Sequence, residues 1–226
     1  MKNFNSLPNP LNYYNSILFD CDGVLLNSNN IKTEAFYLSA LKYGDKVANK
    51  FKKYHLENGG KSRYEKFNYL LNKLLKIELQ NDDLDKLLLH YSNLITSSLV
   101  ACEMVDNLTE LRKISHRSQW YVVSGGKQSE LRQIFQKRNI DHFFSGGIHG
   151  SPDPKERIFD RLIKTNHDFY PAIYFGDSKY DYEVSKIYNI DFIFVSDWSE
   201  FHNWKEFCEI NNISSINKIS NLLISK

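Results

Sequence analysis

The chain is poor in cysteine: among its 226 residues only Cys21, Cys102 and Cys208 occur. They are odd in number and far apart, which argues against a disulfide framework or a cysteine zinc site and leaves reduced thiols. No apolar run approaches the roughly 18 residues needed to cross a bilayer, so a transmembrane reading is excluded. The opening stretch MKNFNSLPNPLNYYN is polar and contains prolines. It lacks the apolar core of a secretory signal, and a cytoplasmic location is expected. An excess of one charge is missing as well. The 29 Lys and Arg against 27 Asp and Glu leave a formal net charge of +2, and the charges are scattered, so neither nucleic acid nor membrane is expected as a partner. Internal repeats and low-complexity tracts are also absent.

What is present describes a globular protein. Hydrophobic residues make up 42% of the chain, aromatics 14% and charged residues 25%, enough to bury a sizeable core in one domain with an insertion or in two small ones. The sequence points to no particular oligomeric state, and Tyr13, Tyr14, Trp198 and Trp204 could pack in a core or at an interface.

The segment SILFD, Ser16 to Asp20, reads as a short buried strand followed by a turn at Gly23. From about residue 30 to 99 helix-period apolar positions dominate, with Phe67, Leu70, Leu71, Leu74 and Leu75 in one stretch and Leu84, Leu87, Leu88, Tyr91, Leu94 and Ile95 in the next. Ser62 and Glu65 form a capping-box pattern at one helix start, and QNDDL marks another. Beyond Cys102 helices and strands alternate: NLTELRKI, QWYVVS, SELRQIFQKRN, FFSGGIHG, KERIFDRLIKT, AIYFGDS, YDYEVSKIYN and DFIFVSD. This order predicts an α/β fold, a doubly wound, Rossmann-like parallel sheet. The core is expected over 1–26 and 100–226, with an all-helical cap inserted over 27–99. The last 25 or so residues carry the weakest pattern.

Polar residues recur where predicted strands end or the following helices begin. They are Asp20 and Asp22, Ser124 in VVSGG, Lys155 in SPDPKERIF, and Asp177 and Asp181 in GDSKYD. Ligands of open parallel sheets bind outside the carboxyl ends of the strands, so these residues are expected to converge. Carboxylates crowded into one crevice repel each other, and a hard divalent cation held by oxygen ligands relieves that repulsion; magnesium fits. Singly, each residue has an ordinary reading as a turn, an N-cap or a solvated lysine. Their recurrence in this order favours a site. His149 and the other histidines are expected on the surface or in loops.

The set DxDGV at Asp20 to Val24, Ser124 after a strand, Lys155 before a helix and GDSxxD at Gly176 to Asp181 resembles the haloacid dehalogenase superfamily of phosphatases and phosphomutases. The insertion after the first motif is similar to the helical cap of the subgroup that includes phosphoglycolate phosphatase and β-phosphoglucomutase, so the resemblance covers nearly the whole chain. It implies that Asp20 is the nucleophile and becomes an aspartyl phosphate, and that Asp22 is the general acid and base. Ser124 would bind phosphoryl oxygens, helped by the amides of Gly125 and Gly126 at a helix start. Lys155 would neutralise charge. Asp177 would hold Mg2+ together with Asp20 and the backbone carbonyl of Asp22, and Asp181 would hold a metal-bound water or an outer contact.

NGGKSRYEKF, Asn58 to Phe67, resembles the glycine-serine-arginine segment of β-phosphoglucomutase-like caps, which implies that Arg63 contacts a remote anionic group of the substrate. Two departures stand against that likeness. Asn27 and Ser28 replace an aspartate followed by Ser or Thr, and Lys32 stands where the mutases carry a hinge histidine. The hinge therefore favours hydrolysis. The expected function is a Mg2+-dependent phosphatase of a small phosphorylated metabolite, such as a sugar phosphate. A sugar phosphomutase and a noncatalytic phosphometabolite-binding protein are the alternatives.

Overall fold

Each apolar run expected to be a strand pairs into one parallel sheet. The computed structural model describes residues 7–76 and 82–223. The chain runs β1 (Ser16–Phe19), α1 (Asn29–Leu41), α2 (Asp45–Glu57), α3 (Arg63–Tyr69), α4 (Asp83–Ala101), α5 (Leu108–Ile114), β2 (Gln119–Lys127) and α6 (Gln128–Lys137). It continues through β3 (Gly147–Ser151), α7 (Lys155–Thr165), β4 (Ala172–Gly176), α8 (Lys179–Ile187), β5 (Asp191–Val195), α9 (Trp204–Asn211) and β6 (Ser214–Ile216). The sheet order is β3-β2-β1-β4-β5-β6, with every pair parallel. All four residues of β1 are buried, as expected of a strand covered on both faces.

The order reverses between β1 and β4, the point where a doubly wound sheet opens a crevice. Phe19 pairs with Val122 on one side and Phe175 on the other, so Asp20, Ser124 and Asp177 stand within a residue of the same level along the sheet. One expectation needs correcting. Ser124, Gly125 and Gly126 belong to β2 rather than to a helix start, and α6 begins only at Gln128. The register against β3 shifts between Val123 and Lys127, a bulge that carries the strand two glycines further before Lys127 pairs with Ser151. The weakly patterned C-terminus adds α9 and the edge strand β6, with Trp204 stacked on Phe194 at 5.6 Å.

Between β1 and β2 lie α1 to α5, of which α1 to α4 pack together, with a π-type turn at Leu70–Leu75 after α3. Their shared core is aromatic: the Phe36 ring lies 4.4 Å from Tyr91, 5.4 Å from Phe67 and 5.6 Å from Phe51. Ser62 caps α3, accepting from the Glu65 N–H at 3.2 Å and donating its hydroxyl to the Glu65 carboxylate at 3.0 Å. Asp82 precedes α4, whose first turn holds Asp83 and Asp85, favourable against the helix dipole. Gln80 and Asn81 of the expected start lie outside the described residues. The two chain crossings run side by side: Asn27 N–H donates to Glu103 O and Val105 N–H to Leu25 O, each at 2.9 Å. Among the described residues no helix is long and apolar enough to cross a membrane.

Candidate active site

Asp20 is the first residue past β1. Its N–H still donates to Phe175 O at 2.9 Å, while its side chain is buried at the sheet edge. Asp177 follows β4 directly. Gly23 lets the turn after Asp22 press against it: at φ +77° a Cβ there would lie 2.1 Å from Asp177 Oδ2 and 2.4 Å from Asn29 Nδ2, so only glycine fits. Asn29 bridges the two parts of the chain, donating from Nδ2 to Asp177 Oδ2 at 2.7 Å and to Trp198 O at 2.9 Å.

Carboxylate oxygens of Asp20, Asp177 and Asp181 lie within 4.8 Å of one another, all buried. Burial pushes the Asp20 carboxyl up to about 7; Lys155 opposes the rise, while Asp181 and Asp22 add to it. Burial likewise carries Asp177 well above the carboxylate range, with Asp20 and Asp181 adding. The cluster is thus short of positive charge, although Lys155 contributes one. Its Nζ lies 3.3 Å from Asp20 Oδ1 and is paired with Asp181. Burial disfavours that ammonium, but Asp181 and Asp20 outweigh burial and raise its pKa. Asp181 has no oxygen to spare: Oδ1 accepts from Tyr174 at 2.7 Å and from Lys155, and Oδ2 accepts from the Ser178 hydroxyl at 2.6 Å and the Ser178 N–H at 3.1 Å. The all-oxygen donor set and the raised carboxyls suit a hard divalent cation, with Asp20 and Asp177 as the available carboxylate ligands.

Asp22 points the other way, towards the cap. The Ser28 hydroxyl donates to Oδ1 at 2.6 Å and Lys32 pairs with Oδ2. Burial opposes ionisation here, yet Lys32, Ser28 and the more distant Arg63 together hold the carboxyl below its ordinary value. Of the two departures noted in the sequence, Lys32 holds Asp22 together with Ser28, which keeps the Ser or Thr of the pattern, while Asn27 turns away and donates from Nδ2 to Glu103 Oε2 at 3.2 Å. Ser124 is fully buried, and its Oγ accepts from the Gly126 N–H at 3.1 Å.

Above the acids the cap closes a cavity of about 330 Å³. Of the predicted site residues, Asp20, Asp22, Arg63, Gly125, Gly126 and Asp177 line it; Ser124, Lys155 and Asp181 are buried outside its wall. A Cβ on Gly125 would come 2.5 Å from Gly60 O, so the NGG loop of the cap rests on β2 where only glycine leaves room. Arg63 is buried, and its fork is taken by Glu130 of α6: NH2 to Oε2 at 2.8 Å and NH1 to Oε1 at 3.1 Å. Ser92 accepts from Arg63 at 3.0 Å and donates to the same carboxylate at 2.6 Å, so α3 and α4 are both fastened to the core.

The histidine expectation fails at His55. It is buried on α2 and lines the cavity, hydrogen-bonded to Thr33 Oγ1 at 2.9 Å and Lys66 at 2.8 Å. His149 lies in β3, half-buried, with Nε2 3.0 Å from Gly146 O. Asn29, His55, Lys66, Glu130 and Glu200 were not predicted as site residues. Only Asn29 carried a signal, its position just after the first acidic motif.

The family model for haloacid dehalogenase-like hydrolases matches residues 17–195, and no curated protein matches by sequence. Solved structures share the fold at low identity. A β-phosphoglucomutase from Clostridium difficile superposes with a TM-score of 0.71 at 16% identity, covering 92% of each chain. A candidate phosphoglycolate phosphatase from Lactobacillus plantarum gives 0.68 at 16% identity, over 93% of this chain and 98% of that one. A haloacid dehalogenase-type hydrolase of family IA from Entamoeba histolytica gives 0.65 at 16%, over 92% and 97%. With the motif residues gathered at the sheet's switch point and the family model spanning most of its length, the chain belongs to the haloacid dehalogenase-like hydrolases.

Proposed function

We propose that the protein is a Mg2+-dependent phosphomonoester hydrolase acting on a small phosphorylated metabolite through an aspartyl phosphate on Asp20. The observation that carries this reading is the pairing of two unlike carboxyls across one cavity wall. Asp20 lies among buried acids with Lys155 3.3 Å away, and Asp22 is held apart from them by Ser28 and Lys32.

In the first step an Asp20 oxygen attacks phosphorus, the bond to the ester oxygen breaks, and Asp22 gives that oxygen a proton. Asp22 rests as an anion. It takes up its proton as the substrate's own charge enters and competes for Lys32. In the second step water attacks phosphorus, the bond to Asp20 breaks, and Asp22 accepts the proton from water. Lys155 offsets the charge that spreads over the phosphoryl oxygens, and the Ser124 hydroxyl and Gly125 N–H donate to them. Mg2+, when held by Asp20, Asp177 and the Asp22 carbonyl, supplies further positive charge to those oxygens. Asp181, whose oxygens are taken by Lys155, Tyr174 and Ser178, orders the Lys155 ammonium beside Asp20. Arg63 lines the cavity, and its link to Glu130 holds the cap on the core and limits the access of water.

Phosphorus NMR on a panel of small phosphate esters, with Mg2+ and with a chelator, tests this. Free phosphate that needs Mg2+ is the expected result, and Asp20→Asn should abolish it. A new ester without free phosphate would establish a phosphomutase instead. No change over a broad panel would favour a noncatalytic binding protein.

A further inference from the structure

The cavity holds one buried cation with no carboxylate at ion-pair distance among the described residues; Asp22, Glu65 and Glu200 act on it only from further off. Lys66 of α3 is 3% exposed and lines the cavity wall. An ammonium has three N–H donors, and among the described residues its one hydrogen-bond partner is His55 Nδ1 at 2.8 Å. None of the ion pairs among the described residues includes it, whereas the neighbouring buried cations are all matched: Lys32 by Asp22, Arg63 by Glu130, Lys155 by Asp20 and Asp181. The Phe36 ring, 5.2 Å from Nζ, offers only a weak counterpart.

The ammonium is also held in place. With Lys66 donating to Nδ1, His55 carries its proton on Nε2 and donates to Thr33 Oγ1 at 2.9 Å, and the Thr33 hydroxyl donates to the Glu200 carboxylate at 2.5 Å. That chain runs from the cap to the loop after β5, so the packing of cap against core fixes the direction of the Lys66 head group. Burial, reinforced by the charge of Lys32, pushes the Lys66 pKa down to about 7. A buried cation without a counter-ion is costly to the fold, and such costs are retained where a ligand relieves them.

We propose that Lys66, with Lys32 beside it, forms an anion subsite in the cap, and that the substrate is a phosphate monoester bearing a second anionic group which lands on Lys66 while its phosphoryl group lies at Asp20. This rests on the hydrolase reading above. Arg63 is a poorer receiver because Glu130 already fills its fork, and a cavity of about 330 Å³ limits the substrate to a small metabolite. A carboxylate and a second phosphate share the required chemistry.

The test is the ratio of kcat/KM values for esters of equal chain length that end in a neutral hydroxyl, a carboxylate or a second phosphate, measured on the wild type, Lys66→Met and Lys66→Arg. The wild type should favour one anionic ester over the neutral one by about tenfold or more, the size of one charge-assisted hydrogen bond. Lys66→Met should collapse that ratio and Lys66→Arg should keep most of it; whichever anionic ester is faster identifies the anion. A wild type without preference, or a ratio unchanged in Lys66→Met, overturns the subsite. If no ester is turned over, the hydrolase reading fails and the subsite is judged by calorimetric titration with alkylphosphonates that carry or lack a terminal carboxylate or phosphate. An anionic terminus that binds about tenfold more tightly to the wild type, but not to Lys66→Met, supports it; equal binding to the wild type overturns it.

Discussion

Lys66 and Asp20 are both buried where their charged forms are disfavoured, the one with its pKa lowered from 10.5 to about 7 and the other raised from 3.8 to about 7. For Lys66 the unfolded chain binds more protons than the native one between about pH 7 and 10.5. Stability therefore rises with pH across that window, and the full penalty is felt below pH 7. Lys66→Met removes the penalty. It is expected to stabilise the protein by on the order of 3 kcal/mol at pH 6 and by much less near pH 10, read by chemical denaturation at the two pH values; an equal gain at both would mean that Lys66 is not a strained cation. The acids that line the cavity were legible because they stand in short motifs at strand ends: Asp20, Asp22, Asp177. Lys66, His55 and Glu200 were not, because their meaning depends on contacts such as Thr33 with Glu200, 167 residues apart, which only the docking of cap on core creates.

At the scale of elements, the cap is fastened through α6. Arg63 and Ser92 converge on Glu130 in the first turn of that helix, and α1 is tied by Thr33 to Glu200 in the loop after β5. Glu130→Ala leaves Arg63 buried without its partner. Glu130 keeps some contact with solvent, so the expected loss is about 1–3 kcal/mol, accompanied by a KM that rises more than kcat falls as closure weakens. An unchanged KM with the same loss of stability would confine the pair to a structural role. The elements themselves were largely readable. Short apolar runs bounded by turn residues gave β1, β4 and β5, and the helix-period stripe gave α4. The extension of β2 was hidden because Ser-Gly-Gly reads locally as a turn, and its pairing with β3 through a register shift is a tertiary outcome. β6 is three residues long, with a single fully buried position, too short for any period to declare itself.

In the whole molecule one apolar cluster runs from Ile17 and Phe19 beneath the acids to Phe36, Phe67 and Tyr91 in the cap, so the cavity is framed by the same packing that holds the fold together. The acids beneath it work against that packing. The carboxyl pKa values of Asp20 and Asp177 are raised above 3.8, so stability falls as pH climbs from the ordinary carboxylate range through about 7, where Asp20 must ionise. On the proposed reading a divalent cation would bind the ionised pair, and protons would compete with it at lower pH. Millimolar Mg2+ should therefore raise the melting temperature by several degrees at pH 8 and by clearly less at pH 5.5; an equal rise at both would reflect salt in general. The central claim is that Asp20 becomes covalently phosphorylated. The most direct measurement is to quench turnover of the fastest ester in acid, reduce with borohydride, and read the peptide containing residue 20 by mass spectrometry. Reduction of an aspartyl phosphate should convert Asp20 to homoserine in the wild type; full turnover with residue 20 unmodified at every quench time, or homoserine formed at another aspartate, would contradict the account.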